Sequence, residues 1–192
     1  MFLKVSSKVA NSSFYSKDEL HTLGFKEIGN NVLVSRKSSI YTPESISIGS
    51  NVRIDDFTIL SGQITLGNYI HISAYCALYA SAGIIFEDYS GISPRGTILT
   101  ATDDFSGEFL SNAMAEDIYR KVTRGQVIIR KYVQIGAHSV VLPDVDLGEG
   151  SAVGAMSLVK ADTESWYLYA GIPARKIKKR SKKMIEYTET FR

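Results

Sequence analysis

From residue 28 onward the chain repeats every six residues, with an aliphatic or large apolar side chain followed by small and polar ones. An α-helix repeats about every 3.6 residues and a free strand every two, so neither element produces this period. A coil that returns to the same wall at a fixed interval does produce it. The pattern predicts a mainly β protein, a parallel β-helix whose coils bury their apolar face only by stacking on one another. The repeat positions are Ile28, Val34, Ile40, Ile46, Ile48, Ile54, Leu60, Leu66, Ile72, Leu78, Phe86, Ile92, Ile98, Ile129, Ile135, Val141, Leu147, Val153 and Val159.

The period is interrupted in three places. It slips by two residues after Ile46 and again after Leu78. It then stops after Ile98 and resumes only at Ile129, which predicts an excursion loop over residues 99–125. Because long excursions from a regular scaffold are usually functional, this loop is the first place to look for chemistry.

The N-terminal residues 1–27 do not follow the repeat and are expected to cap the open end of the coil stack. They contain the signature of a short helix, with Ser16 as N-cap, Glu19 completing a capping box and Gly24 as the stop. Such a cap hides the unpaired strand edges at the end of the core.

The repeat is expected to form the β-helix over residues 28–163. Residues 164–192 follow as a C-terminal unit, and residues 178–187 have the mixed charge of a closing helix. The prediction is therefore a three-part chain in which the coil carries the excursion loop.

The composition favours a protein without membrane spans or disulfides. The chain has 192 residues, 44% of them hydrophobic, which is ample for one packed core. No apolar stretch reaches the roughly 18 residues of a membrane span, and the N-terminal MFLKVSSKVANSS lacks a secretory signal's apolar segment. We therefore expect a cytoplasmic protein with no membrane partner. The single cysteine, Cys76, excludes an internal disulfide and is expected to be buried filler.

The net charge of +2 hides an uneven distribution. Residues 175–183 contain seven of the 22 basic residues and no acid, which leaves 15 bases against 20 acids elsewhere. An acidic body argues against nucleic acid as a partner, since a nucleic-acid surface must track many phosphates. A local polyanion, such as a nucleotide with several phosphates, fits better; a solvated terminal helix is the alternative.

Three segments of the coil and its C-terminus carry a family resemblance. They are residues 133–143 (VQIGAHSVVLP), 153–159 (VGAMSLV) and 170–177 (AGIPARKI). In this order they resemble the hexapeptide-repeat acyltransferases, and the resemblance covers residues 28–180. It implies a left-handed β-helix, acetyl-CoA as co-substrate with no required metal, and a homotrimer with active sites between subunits.

Two further segments, residues 93–97 (SPRGT) and 103–107 (DDFSG), carry a finer resemblance. They are similar to bacterial sugar acetyltransferases of O-antigen and other surface-polysaccharide synthesis, in particular the dTDP-4-amino-4,6-dideoxyglucose acyltransferases. This resemblance implies acetylation of the amino group of a nucleotide-linked amino sugar.

The coenzyme site is expected on the last coils. The small corner residues Gly136, Ala137, Gly154 and Ala155 could leave backbone N–H groups open to the thioester and the pantetheine arm, although purely structural corners would look the same. By resemblance, the nucleotide and phosphates of the coenzyme would meet Pro173, Arg175, Lys178 and Arg180.

The proton acceptor is expected at the start of the excursion loop. Many O-acetyltransferases of the family have a histidine directly after a segment like Thr-Ala-Thr, whereas this chain has Asp103 there. A hydroxyl needs a general base to attack a thioester, but an amine needs much less help. Asp103 therefore favours an amino-sugar acceptor. If His138 or His71 is the base instead, O-acetylation of a sugar hydroxyl is the alternative function.

The acceptor itself is expected to contact charged and aromatic side chains. Asp104 and Arg95 are the charged candidates, with Arg95 suited to a diphosphate, and Tyr75 and Tyr79 offer faces for a sugar or pyrimidine ring.

Two further functions compete with acyl transfer. A β-helix metalloenzyme of the carbonic anhydrase type would need His21, His71 and His138 to converge, although His21 lies outside the repeat. A non-enzymatic scaffolding coil would need neither the excursion loop nor the coenzyme-type C-terminus.

Overall fold

Short strands account for nearly all of the regular structure, as the six-residue period predicts. The computed structural model describes residues 13–190. In chain order the strands are β1 (Glu27–Ile28), β2 (Val32–Val34), β3 (Ser39–Tyr41), β4 (Ile46–Ile48), β5 (Val52–Ile54), β6 (Ile59–Leu66), β7 (Ile70–Ile72), β8 (Ala77–Phe86), β9 (Gly91–Ile92), β10 (Thr97–Leu99), β11 (Ala101–Asp103), β12 (Val122–Arg124), β13 (Val127–Ile129), β14 (Gln134–Ile135), β15 (Val140–Val141), β16 (Val145–Leu147), β17 (Ala152–Val153), β18 (Leu158–Val159), β19 (Tyr167–Ala170) and β20 (Arg175–Lys179). The helices are α1 (Lys17–Thr22) and α2 (Met184–Thr190), with 3₁₀ turns at Pro43–Ser45 and Asp117–Tyr119.

The strands stack in parallel on three faces of a coil. Face A consists of β2, β5, β7, β9, β14, β17 and β19. Face B consists of β3, the first halves of β6 and β8, β10, β15 and β18. Face C consists of β1, β4, the second halves of β6 and β8, β13 and β16. The prediction of a mainly β, left-handed parallel β-helix with a C-terminal helix is confirmed.

All irregularities of the sequence period fall at one corner, between face B and face C. The inward residues of faces C and A, and of faces A and B, are always six residues apart. From face B to face C the spacing is six, eight or, in the coil that carries the excursion loop, 31 residues. Since all the extra residues are accommodated at this corner, the strands on either side of the other two corners keep their register.

The repeat positions form one continuous core. Those from Val34 to Val159 are buried with the exception of Ile40, which packs against the core with Ile28. Full burial of each such side chain is worth about 1.5–3 kcal/mol relative to exposure, an upper estimate because unfolded chains already bury part of it. Cys76 is buried in this core, as predicted, and burial raises the pKa of its thiol to about 11.

The N-terminal helix α1 forms as predicted. The Ser16 hydroxyl accepts from the Glu19 N–H, and the Glu19 carboxylate accepts from the Ser16 N–H, which completes the capping box. Gly24 follows with a left-handed φ of 81°. The buried side chain of Leu20 joins the core cluster, so α1 covers apolar surface. Residues 1–12 of the predicted cap lie outside the described residues.

The ion pair between Glu19 and Arg36 ties α1 to the first full coil and makes this contact sensitive to acid. Hydrogen bonds from Arg36 and Ser16 lower the pKa of Glu19 from 4.5 to about 2. Because the folded-state pKa is the lower one, the contribution to stability is present above pH 4.5 and is lost as the pH falls toward 2. We expect Glu19→Gln to reduce the pH dependence of unfolding in urea within this window. Replacement of Asp18, which follows the same N-cap, by Asn is the control; equal slopes for Glu19→Gln and wild type would contradict the assignment.

The prediction of a helix over residues 178–187 is wrong. Residues 175–179 form β20, which pairs antiparallel with β19, and α2 begins only at Met184. The reason is tertiary: β19 is the last strand of face A, and β20 satisfies the backbone groups of its open edge. Helix α2 returns to the coil, where the Thr188 hydroxyl and the Tyr132 hydroxyl lie 2.9 Å apart. Among the described residues, no helix is long and apolar enough to cross a membrane.

Candidate active site

Five side chains form an exposed column along the A/B edge, the corner where the chain turns from face A to face B. They are Phe57, Tyr75, Arg95, His138 and Met156, and each has a left-handed φ between 56° and 63°. Backbone hydrogen bonds link this corner from coil to coil, so the five side chains occupy equivalent positions. The six-residue period thus brings predicted residues from different coils onto one line.

The first three members of this column are in contact. The rings of Phe57 and Tyr75 are stacked with their centroids 4.9 Å apart. The guanidinium carbon of Arg95 lies 4.8 Å from the centre of the Tyr75 ring. An exposed aromatic face beside a cation can hold a base or sugar ring together with a phosphate. Sequence reasoning missed Phe57, although its position one coil before Tyr75 in the repeat was the available signal.

Toward the C-terminus, the corners of the A/B edge consist of small residues. The Gly136 N–H donates to the Val153 carbonyl at 2.8 Å, and the Gly154 N–H donates to the Tyr169 carbonyl at 2.7 Å. The expectation that these two N–H groups are open to a thioester is therefore wrong, because the next coil already uses them.

Coil stacking leaves no room for a side chain at Gly136 and little at Gly154. A Cβ on Gly136 would lie 2.5 Å from the backbone nitrogen of Ala155, and one on Gly154 would lie 3.0 Å from the Ala170 Cβ. Among the described residues, no backbone hydrogen bond pairs the N–H groups of Ala137 or Ala155. These two donors, not those of the glycines, are available to a ligand on the A/B edge.

The terminal hairpin extends the same edge. The Leu158 N–H donates to the Gly171 carbonyl at 3.0 Å, and the Ala174 N–H donates to the Leu158 carbonyl at 2.8 Å. These bonds place Pro173 in line with the small corners. Arg175 and Lys178 are exposed on β20.

Arg180 lies differently from the other predicted coenzyme ligands. Its Nη1 donates to the carbonyl of Ser151 at 3.0 Å and also to those of Gly150 and Tyr132. Partial burial lowers the pKa of this guanidinium. The contacts favour a structural role, in which Arg180 fastens the C-terminal segment to the corner between face C and face A.

The excursion loop leaves and re-enters the coil through a two-stranded neck. Strands β11 and β12 form this loop neck as an antiparallel pair that joins Asp103 to Val122. Asp103 is half-buried at its end. The carboxylate of the adjacent Asp104 accepts from the hydroxyl of Ser106 at 2.6 Å, which holds the pKa of Asp104 below its usual range. Tyr79 is exposed on face B, and its carbonyl accepts from the Thr100 N–H where the neck begins.

One residue of the loop was not anticipated from the sequence. Arg120 lies two residues before β12 and has a side chain only 18% exposed. Its Nη2 lies 3.9 Å from Asp103 Oδ1, and its Nη1 lies 3.5 Å from Asp117 Oδ1. No periodicity singles it out, because the loop is the part of the chain where the repeat is absent.

The loop neck and the A/B edge lie on opposite sides of face B. From Arg95 to Thr100 the chain crosses this face along β10, an extended span of roughly 15 Å at about 3.3 Å per residue. Asp103 thus lies beyond the edge between face B and face C, whereas His138 and the small corners lie on the A/B edge.

His71 is separate from both groups. It lies on face A, where its Nε2 is 2.8 Å from Asp55 Oδ2. The hydrogen bonds from His71 and Arg53 lower the pKa of Asp55 against an opposing contribution from burial, which is the largest single one. With His21 on α1 and His138 on the A/B edge, the three histidines do not converge. Among residues 13–190, no three His, Cys, Asp or Glu side chains are grouped to hold a metal ion.

Comparison with known proteins agrees with this geometry, although no family model matches the sequence. A dTDP-4-amino-4,6-dideoxy-D-glucose acyltransferase from Escherichia coli is 42% identical over 183 residues, which cover 94% of this chain and 95% of the relative. The crystal structure of AntD, an N-acyltransferase from Bacillus cereus, in complex with dTDP and 3-hydroxybutyryl-CoA superposes with a TM-score of 0.92. The two are 52% identical, and the match covers 93% of this chain and 96% of AntD. A variant of AntD holds dTDP-4-amino-4,6-dideoxyglucose and coenzyme A.

The β-helix, its excursion loop and its small-residue edge define an acyltransferase of the left-handed β-helix class. Within that class, the chain belongs to the family of dTDP-4-amino-4,6-dideoxyglucose acyltransferases.

Proposed function

We propose that this protein transfers the acetyl group of acetyl-CoA to the 4-amino group of dTDP-4-amino-4,6-dideoxyglucose. The observation that carries the proposal is Asp103 at the loop neck, at the position where many O-acetyltransferases that the chain resembles have a histidine. Coenzyme A and dTDP-sugar ligands bound to a 52% identical relative support it. The product would serve O-antigen or other surface-polysaccharide synthesis in the cytoplasm.

In the proposed reaction, the carboxylate of Asp103 holds the sugar ammonium and accepts its proton. The neutral amine attacks the thioester carbonyl carbon and a C–N bond forms. The C–S bond then breaks, and the second proton lost by the nitrogen is taken up by the departing coenzyme thiolate. The N–H groups of Ala137 and Ala155 are the candidate donors to the developing oxyanion. His138, exposed on the same edge, would relay this proton from the nitrogen to the thiolate sulfur.

We assign the nucleotide to the N-terminal part of the A/B edge, from Phe57 to Arg95. We assign the coenzyme to the C-terminal part, from Gly136 onward. Tyr75, stacked on Phe57, would support the thymine or sugar ring, and Arg95 beside it would bind the diphosphate. Pro173, Arg175 and Lys178 would meet the distal end of the coenzyme. Tyr79 and Asp104, near the loop neck, would contact the sugar.

We infer that the working enzyme is a homotrimer with its sites between subunits. Asp103 and His138 lie on opposite sides of face B in one chain, so a second chain would have to supply one of them. The exposed apolar side chains of the excursion loop support this arrangement, since they need a surface to cover them. They include Phe105, Leu110, Met114, Ile118 and Tyr119.

A thiol-release assay tests the function. We expect release of coenzyme A from acetyl-CoA with dTDP-4-amino-4,6-dideoxyglucose and at least a hundredfold less with dTDP-glucose, because a hydroxyl needs a stronger base than a carboxylate provides. Sugar-phosphate analogues lacking the nucleotide are the control for the role of dTDP. Turnover confined to hydroxyl acceptors would contradict the proposal and establish O-acetylation. Comparison of acetyl-CoA with 3-hydroxybutyryl-CoA then defines the acyl group.

A further inference from the structure

The side chain of Arg120 is unusual for a residue of the excursion loop. It is 18% exposed, whereas most residues of the loop are exposed to solvent. Its Nε is buried and, among the described residues, has no hydrogen-bond partner. A buried donor without a partner is costly, so its position requires a compensating interaction.

The compensation comes from the groups that surround the guanidinium. Nη2 faces the Asp103 carboxylate at 3.9 Å, and Nη1 faces both the Asp117 carboxylate at 3.5 Å and the Ala113 carbonyl at 3.4 Å. These distances exceed the 2.7–2.9 Å of a saturated charge-assisted hydrogen bond. Arg120 therefore stands beside the Asp103 carboxylate without forming a hydrogen bond to its oxygens.

Among the described residues, Arg120 is the one side chain paired with the carboxylate of Asp103. Arg120 lies two residues before β12 and Asp103 ends β11, so the two side chains approach each other at the outer end of the loop neck. The guanidinium also spans to Asp117 and Ala113, which lie farther out on the loop. The Arg120 side chain thus links the outer part of the loop to Asp103, the residue proposed to bind the acceptor amine.

We propose that Arg120 is a positioning residue for the reaction, which acts through Asp103. It would hold the Asp103 side chain in place toward the acceptor amine, while leaving the carboxylate oxygens free to accept from the ammonium. The inference rests on the proposed function of Asp103 as the group that binds the amino sugar.

A double-mutant cycle tests this coupling. We expect Arg120→Gln to lower kcat/KM for the amino sugar about 10- to 100-fold, and Asp103→Asn to lower it at least as much. In the Asp103→Asn background, Arg120→Gln should cause less than about a twofold further loss, since its partner is already gone. Arg120→Lys should recover part of the activity, because lysine restores the positive charge but not the forked guanidinium with its several donors. KM for acetyl-CoA should stay within about twofold in all of these variants.

Arg124→Gln, an exposed arginine on the same neck, is the matched control and should leave kcat/KM unchanged. Thermal unfolding of each variant identifies any general loss of fold, and the Lys variant keeps the test informative if the Gln variant is destabilised. Losses that multiply in the double variant, or an equal effect on KM for acetyl-CoA, would overturn the positioning role. If the wild-type protein does not act on dTDP-amino sugars, the proposed function itself is contradicted. If the wild-type protein acts on them but the cycle shows no coupling, only the role of Arg120 is contradicted.

Discussion

Replacement of Asp103 by Asn should reduce kcat/KM for the dTDP-amino sugar by about 10²- to 10⁴-fold, the usual contribution of a positioned proton acceptor. Asn keeps the size of the side chain and its capacity to accept a hydrogen bond, but it removes the charge that binds an ammonium and the basicity that takes its proton. Steady-state coenzyme A release, measured with each substrate varied in turn, checks the expectation.

Glu116→Gln is the matched control for this substitution. It removes a carboxylate from the same excursion loop, and the Glu116 side chain is exposed with no capping hydrogen bond. The control should retain wild-type kcat/KM. An Asp103→Asn enzyme within about threefold of wild type would contradict the assignment and direct attention to His138.

Complementation between subunits shows which chain supplies Asp103. We would mix the Asp103→Asn variant with the Ala155→Val variant, which blocks the A/B edge, after dissociation and reassembly. If each site uses the loop of one chain and the edge of another, some mixed sites carry neither substitution and activity returns. No recovery in demonstrably mixed oligomers would place both groups in one chain.

Gly136→Ala should lower the free energy of unfolding by about 1–3 kcal/mol, the usual cost of overpacking. The added Cβ would lie 2.5 Å from the Ala155 nitrogen and 2.7 Å from the Val153 carbonyl oxygen, both backbone atoms of the next coil. Since neither can rotate away, the two coils must separate at this corner. Urea unfolding at one fixed protein concentration measures the loss.

Ala155→Val provides the opposite result at the neighbouring corner and serves as the matched comparison. Ala155 is exposed on the A/B edge, so the larger side chain should leave the unfolding free energy within about 0.5 kcal/mol of wild type. It should raise KM for acetyl-CoA by at least about tenfold, because it narrows the path proposed for the pantetheine arm. A destabilised Ala155→Val or an unaffected Gly136→Ala would reverse the roles given to these corners.

Much of the site could be predicted because the repeat constrains position. Tyr75, Arg95 and His138 are distant in sequence, yet each stands three residues beyond an inward residue of face A, so the period alone aligns them. Asp103, at the position where many related O-acetyltransferases have a histidine, could also be identified from the sequence. Arg120 was not, because the excursion loop has no period and its contacts depend on how the loop folds back on its neck.

The errors share one physical cause, which is that the sequence does not reveal which backbone groups are already paired. Residues 178–187 have a plausible helical composition, but the open edge of β19 recruits the first of them as a strand. Gly136 and Gly154 resemble open corners, but the next coil takes their N–H groups. In both places a long-range hydrogen bond overrides the local preference.

The sequence by itself determined the coil, its core and the turn that carries the loop, because a six-residue apolar period is buried by stacking parallel coils on one another. The tertiary structure decided which polar groups are available for chemistry. It placed all insertions at one corner, left Ala137 and Ala155 as the free donors, and set Arg120 against Asp103. Burial follows from periodicity, whereas the pairing of donors and acceptors depends on residues that only the folded chain brings together.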